Sequence, residues 1–448
     1  MTSTIDLNMV NAYIPGRADV GPEMAAKIAR RDALLGPAYR LMYERPLHFV
    51  RGEGAWLIDP DGRRFLDIYN NVTSLGHCHP AVVEAICRQA GTLQTNTRYL
   101  HDIILELAER LLATVPGTDL AHLMLTCTGS EANDLAYRMA KVRTGGTGII
   151  VTDTAYHGFT DAVSQFSPSL GAGVDLGAHV RLVPAPRRYH APGEDLAARF
   201  TRDVEAAIAD LRRHGIRPAM LIVDTLFTSD GILPDPAGFL SGAAAAIRAA
   251  GGLFVADEVQ PGFGRTGTHM WGFQRHALSP DIVTMGKPMG NGQPIAGLLA
   301  TQDALARFGR DSRYFNTFAG NTVSCAAALA VLDTIERDHL IDHAATMGRR
   351  LHDGIADLAA RHAAIGDVRG AGMFVGVELV ADRATRAPDR ALTSRVVNAM
   401  RDRGVLLSAC AQGHNVLKIR PPLILSQDQV DMVVDVLDAA LTEAAGGQ

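Results

Sequence analysis

Seven short apolar runs, polar only at their ends, recur along the middle of this chain: HLMLTC near 122, GIIVT near 148, VRLVPA near 180, AMLIVDT near 219, LFVADEV near 253, DIVTMG near 281 and PIAGLLAT near 294. A strand with one face in water alternates apolar and polar side chains. Runs that are apolar throughout instead suit strands covered on both faces by crossover helices, as in a mostly parallel sheet. The segments between them carry helical patterning, and SGAAAAIRAAGG, 241–252, reads as one crossover helix stopped by Gly251 and Gly252. The expected architecture is therefore α/β, with a large domain over 80–322 built on a mostly parallel sheet flanked by helices.

The flanking segments read differently. In AWLIDPDGRRFLDIY, from Ala55, two β-rich runs surround Asp59-Pro60-Asp61-Gly62, a hairpin turn signal, so residues 1–79 form an arm and part of a small β structure. Beyond Asn321, helical segments near 323–336, 340–362, 391–403 and 426–444 are interrupted by GMFVGVELV and NVLKIRPPL, which predicts a smaller α+β domain over 323–448, packed with the N-terminal arm. A ligand is expected in the cleft between the two lobes.

With 448 residues, 47% apolar and 20% charged, the chain can bury a large core. A net charge of -5 with no basic stripe argues against nucleic acid as partner and for a small metabolite. No stretch approaches the roughly 20 apolar residues of a membrane span, and MTSTIDLNMVNAYIPGR lacks a basic start followed by an apolar stretch, so a cytoplasmic protein is expected. Five scattered cysteines, Cys78, Cys87, Cys127, Cys325 and Cys410, fit reduced thiols that mostly fill the core.

Ligands of open α/β sheets bind beyond the carboxyl ends of the strands, so the polar residues that follow each apolar run carry the most information. HLMLTC leads into Thr128-Gly129-Ser130-Glu131-Ala132-Asn133 and a helical stretch, which offers free N–H groups and a hydroxyl to a phosphate, or simply an ordinary cap. GIIVTD leads to Tyr156 and His157, an aromatic ring and an imidazole where a planar heterocycle could stack, although core packing would use the same residues. LFVADEVQ ends on Asp257 and Glu258, where a carboxylate could hold a proton on a ring nitrogen or merely cap a helix. DIVTMG ends at Lys287. Only four lysines occur, Lys27, Lys141, Lys287 and Lys418, and of these only Lys287 follows a large-domain strand, where an amine can be desolvated and form an imine. His77-Cys78-His79 is a poor metal site, because three adjacent ligands cannot easily face one ion and Gly76 and Pro80 frame them as a loop; either histidine could still line a substrate pocket. No metal is expected.

TGSEAN, AYHG, DEVQPGFGRTG, TMGKPMGNGQP and NTFAGNTVSCAAA, in this order, closely resemble the class III aminotransferase group of fold type I pyridoxal-phosphate enzymes, over essentially the whole chain from about residue 45. The resemblance implies pyridoxal 5'-phosphate as cofactor, Lys287 as its Schiff-base lysine and Asp257 as partner of the pyridine nitrogen. Tyr156 would stack on the ring, Gly129 and Ser130 would bind the phosphate, Gln260 would sit near the phenolic oxygen, and His157 and Glu131 would also be cofactor-binding residues. Thr317, in the match to T-F-x-G-N at Thr317–Asn321, would reach the phosphate of a neighbouring subunit, which implies a homodimer with shared active sites.

Within the group, NNVTSLGHCHP, NTRYLHD, PDIVTMGKPMGNG, FNTFAGNTVSCA and NVLKIRPPL are closer in wording to the ethanolamine-phosphate phospho-lyases than to the ω-aminotransferases. Both reactions begin with proton removal beside the amine, but only a transaminase then needs a second, carboxylate-bearing substrate. On the strand VLKIR, Lys418 and Arg420 are two apart and share a face, and a pair of cations suits a phosphate dianion, although an Arg near here binds substrate carboxylate in the family and a solvated edge would also carry both. Where many aminotransferases of the group have E-P-x-Q-G, this chain has Asp224-Thr225-Leu226-Phe227-Thr228. The favoured reading is a phospho-lyase acting on O-phosphoethanolamine or a similar phosphorylated amino alcohol. The alternatives are an aminotransferase moving an amino group between an amine and a keto acid and, last because Lys287 is present, a non-catalytic binding protein.

Overall fold

The computed structural model describes residues 9–446; the first eight residues of the expected N-terminal arm lie outside the described residues. All seven apolar runs are strands of a single sheet, in the order Leu120–Thr126, Ala296–Thr301, Ile282–Met285, Leu253–Asp257, Pro218–Asp224, Gly148–Thr152 and Val180–Val183. Only Ala296–Thr301 runs against its neighbours, and the rest point one way. The strands Gly148–Thr152, Pro218–Asp224 and Leu253–Asp257 are buried at every position, which is why they read as unbroken apolar runs. Helices cover both faces, Gly129–Thr144 on one and Leu196–Arg213 and Ser241–Ala249 on the other.

Polar side chains that end the parallel strands therefore collect on one rim. Two smaller sheets close over that rim. One is antiparallel, ordered Ile365–Ala371, Phe374–Asp382, Val416–Ile419 and Ser408–Cys410. The other joins the two ends of the chain: strands Arg51–Glu53, Trp56–Ile58 and Arg64–Asp67 form the expected hairpin structure, and Val405–Leu406 adds to it in parallel, with Leu66 opposite Val405. The helices Thr322–Arg337, Leu340–Leu358, Arg390–Asp402 and Gln427–Gly446 lie where helical patterning was read. Among the described residues, no helix is long and apolar enough to cross a membrane.

Of the cysteines, only Cys325 is buried; Cys78 and Cys87 are exposed, so core filling does not describe most of them. Phe254, fully buried in the central strand Leu253–Asp257, tests the weight of the core. Phe254→Ala is expected to cost about 3–5 kcal/mol, measured as a lower denaturant midpoint by circular dichroism.

Candidate active site

Thr128 caps the helix Gly129–Thr144. Its Oγ1 accepts from Glu131 N at 3.1 Å, while the Glu131 carboxylate accepts from Thr128 N at 3.0 Å and Cys127 N at 2.8 Å. This reciprocal capping box consumes the Glu131 side chain, so Glu131, expected beside the phosphate contacts, does not line the cavity there. The T-G-S-E spelling already carried that signal.

The cap leaves Gly129 and Ser130 at the open, positive end of the helix, lining a cavity of ≈ 180 Å³ together with Tyr156, His157, Asp257, Gln260 and Lys287. Two glycines make the cup. A Cβ on Gly129 would lie 3.0 Å from both Val259 methyls. Gly158, at φ +135°, passes so close to Ser130 that a Cβ would stand 2.5 Å from its Oγ.

Asp257 ends the strand Leu253–Asp257 and is buried. Its Oδ2 accepts from Asn133 Nδ2 at 2.9 Å and His157 Nδ1 at 2.7 Å, and its Oδ1 from Val259 N at 3.1 Å. Asn133 is itself oriented, donating to His157 O at 2.7 Å and accepting from Thr284 Oγ1 at 2.7 Å. His157 therefore stands behind the carboxylate as a brace, rather than stacking on a ligand. Asn133 and Thr284 were not singled out from the sequence, since what defines their role is contact across strands far apart in the chain.

Lys287 lies two residues past the strand Ile282–Met285, and its Nζ is 5.9 Å from the Tyr156 ring centroid. Burial, reinforced by the Arg420 charge and opposed by Asp257 and Asp224, lowers its pKa to about 8. Burial raises the Tyr156 hydroxyl, and the charge of Asp257 adds to the shift.

Three cavities meet at Lys287. The largest, ≈ 440 Å³, is also lined by Tyr69, Gln260, Cys410, Lys418 and Arg420, and a more apolar one of ≈ 320 Å³ reaches back to Met42, Leu47 and Phe49. Lys418 and Arg420 face the same space, while Leu417 and Ile419 between and beside them are fully buried. Among the described residues neither cation has a carboxylate within ion-pairing distance. Arg420 Nη1 donates to Gln260 Oε1 at 2.5 Å, the guanidinium lies 4.3 Å from the Tyr69 ring centroid, and its Nε has no partner. Burial and the neighbouring Arg420 push the Lys418 ammonium well below the usual lysine range.

Asp224, noted in the sequence only as a departure from a motif, lines the cup as well. It lies opposite Asp257 in the sheet register, accepts from Leu226 N at 3.0 Å and from Thr228 Oγ1, and burial together with the charge of Asp257 raises its pKa. Neither His77 nor His79 lines these cavities; His77 Nε2 is held by Asp67 Oδ2 at 3.0 Å. Thr317 is exposed and lines none of the three cavities that meet at Lys287.

The residues fit pyridoxal phosphate: a neutral cup of helix N–H groups for its phosphate, a braced acid for its ring nitrogen, an aromatic wall and a desolvated amine. A family model described as aminotransferase class-III matches residues 40–441. Among solved structures, an Arthrobacter phospholyase in complex with phosphoethanolamine superposes with a TM-score of 0.90 at 43% identity, covering 93% of this chain and 99% of that one. The alanine–glyoxylate aminotransferase 2-like protein of Drosophila melanogaster is 38% identical over 417 residues, 90% of this chain and 84% of the relative. Ethanolamine-phosphate phospho-lyase homolog 1 of Caenorhabditis elegans is 35% identical over 436 residues, 93% of each.

An amine with a pKa of about 8 gains its reactive neutral form over a different pH range from a surface lysine. The rate at which cofactor-free protein takes up pyridoxal phosphate, followed by absorbance, is expected to rise about tenfold per pH unit below that value and level off above it. Levelling near 10.5, the ordinary lysine value, would show that burial does not act on Lys287.

Proposed function

Because the chain belongs to the class III aminotransferase family, whose enzymes use pyridoxal phosphate, we propose that it is a phospho-lyase releasing phosphate and ammonia from O-phosphoethanolamine or a similar phosphorylated amino alcohol. One observation carries the choice within the family: Lys418 and Arg420 reach the Lys287 cavity together, with no acid paired to either among the described residues. A lone Arg suits a carboxylate, and a second ammonium beside it suits a dianion.

Lys287 is placed to take a proton from the carbon bearing the substrate amine. The bound cofactor supplies the electron sink that makes this proton removable, and Asp257, braced by Asn133 and His157, holds the ring nitrogen protonated. The electron pair of the broken C–H bond forms a C=C bond as the neighbouring C–O bond breaks, and phosphate leaves with the C–O pair. Lys418 and Arg420 take up the charge of the departing phosphate. Water then completes the balance, giving an aldehyde, inorganic phosphate and ammonia without any keto acid.

Purified protein given O-phosphoethanolamine and no keto acid is expected to release phosphate and acetaldehyde over many turnovers. Lys287→Ala should lower the rate by about 100-fold or more. Lys418→Met should raise KM at least about tenfold, since a charge-assisted contact is worth about 1.5–3 kcal/mol. Absence of release, with amine-dependent bleaching that pyruvate reverses, would replace the lyase by an aminotransferase.

The same reading makes the enzyme a homodimer. Thr317 is exposed beside Phe318, itself 72% exposed, on a loop whose Asn316 donates at 3.4 Å to Glu131, the residue that closes the helix cap behind the phosphate cup. Thr317 then supplies a hydroxyl to the cup of the neighbouring subunit. Size-exclusion chromatography should give twice the chain mass, and Thr317→Ala should weaken cofactor retention on dialysis without splitting the dimer.

A further inference from the structure

Arg265 carries a buried charge that the mechanism above does not use. It is 1% exposed, it lies between Asp257 and Lys287 in sequence, and no carboxylate pairs with it among the described residues. Its Nη1 donates to two carbonyls of the smaller sheets' region, Met373 O at 3.1 Å and Pro421 O, and its own backbone O accepts from Met373 N at 3.0 Å. Nε and Nη2 have no partner.

Those contacts lie at the base of the strand that bears the anion-binding pair. Pro421 directly follows Arg420, and Met373 precedes the strand Phe374–Asp382, which pairs Gly376 with Lys418 and Val375 with Ile419. The segment 257–266 thus grips the Lys418–Arg420 strand at two points, Gln260 to the Arg420 guanidinium and Arg265 to the next carbonyl along. A buried guanidinium bonded only to carbonyls leaves a full positive charge in a medium that screens it poorly. Burial, and then the charge of Arg420, lower the Arg265 pKa to about 9, which places the two guanidinium groups near one another.

We infer that Arg265 is a positioning residue of the substrate-anion site, which fixes Arg420 and Lys418 against the cofactor-bearing loop and adds an unneutralised positive charge behind them. This rests on the reading of Arg420 as an anion ligand, whichever anion that is. Its consequence is specific: losing the two-carbonyl grip loosens the anion site, and losing the charge weakens it further, with the Asp257 and Lys287 chemistry left in place.

The test compares Arg265→Lys, which keeps the charge but not the two-carbonyl geometry, with Arg265→Met, which keeps neither, in the cofactor-loaded enzyme. For Arg265→Met, KM for O-phosphoethanolamine and Ki for inorganic phosphate should both rise about tenfold or more. Arg265→Lys should fall between it and the parent. In both, the cofactor absorbance should be unchanged, and any fall in kcat should be smaller than the rise in KM. KM and Ki equal to those of the parent, or a loss confined to kcat or to cofactor retention, would overturn the inference. If Arg265→Met does not fold, the Lys variant alone decides on the same KM and Ki criteria. If the protein proves to be an aminotransferase, the comparison is read on KM for the keto acid; a rise there upholds Arg265 while the phospho-lyase reading fails.

Discussion

Two carboxylates side by side at the ends of buried strands constrain the rest of this active site. Asp224 and Asp257 are direct neighbours in the sheet register, both removed from water, and two such charges repel strongly. Their arrangement holds because each is satisfied separately, Asp257 by Asn133, His157 and Val259 N, Asp224 by Leu226 N and Thr228, and because Lys287 and Lys418 lie close enough to offset their charge. The Asn133 amide ties the helix that forms the phosphate cup to the strand that ends at Asp257 and to Thr284 beside it. Moving any one of these elements disturbs the others.

On the proposed reading, the site would meet anions in two chemically different ways. At the cup, uncharged N–H groups at a helix start do the work, and Glu131 closes the cap without entering the cavity. Across Lys287, whole cations do it, on a strand from the small antiparallel sheet. A cofactor phosphate that stays in place is well matched by fixed dipoles. An anion that arrives and leaves is met by two charges whose ammonium and guanidinium are held by burial, by Tyr69 and by Gln260 rather than by acids.

Where the sequence could be read, the reason is periodicity or local chemistry. Strands buried on both faces must be apolar throughout, so the inner strands announced themselves, the half-exposed edge strands Leu120–Thr126 and Val180–Val183 were legible from their apolar runs, and the residue after each strand followed from the sheet's polarity. Lys287, Asp257, Tyr156 and Ser130, named from that logic, meet in one cavity. Asn133 and Thr284 escaped notice because their meaning lies in contacts across 151 positions of chain, and Asp224 because a motif comparison gave it only as an absence. Glu131 was assigned outward when its own T-x-x-E spelling pointed inward to the cap. Arg265 looks like any loop arginine until burial reveals that it faces two carbonyls.

The sheet that pairs Leu66 with Val405 imposes an order on biosynthesis. The strand ending at Asp67 and the one starting at Val405 are 338 positions apart (405 minus 67). At about 5–20 residues per second, the ribosome needs about 17–70 s to make that stretch. Throughout that interval, Phe65, Leu66 and Ile68, all fully covered in the finished protein, wait on an unmatched strand edge. The edge of the strand Arg64–Asp67 that Val405–Leu406 covers therefore stays open for most of the chain's synthesis.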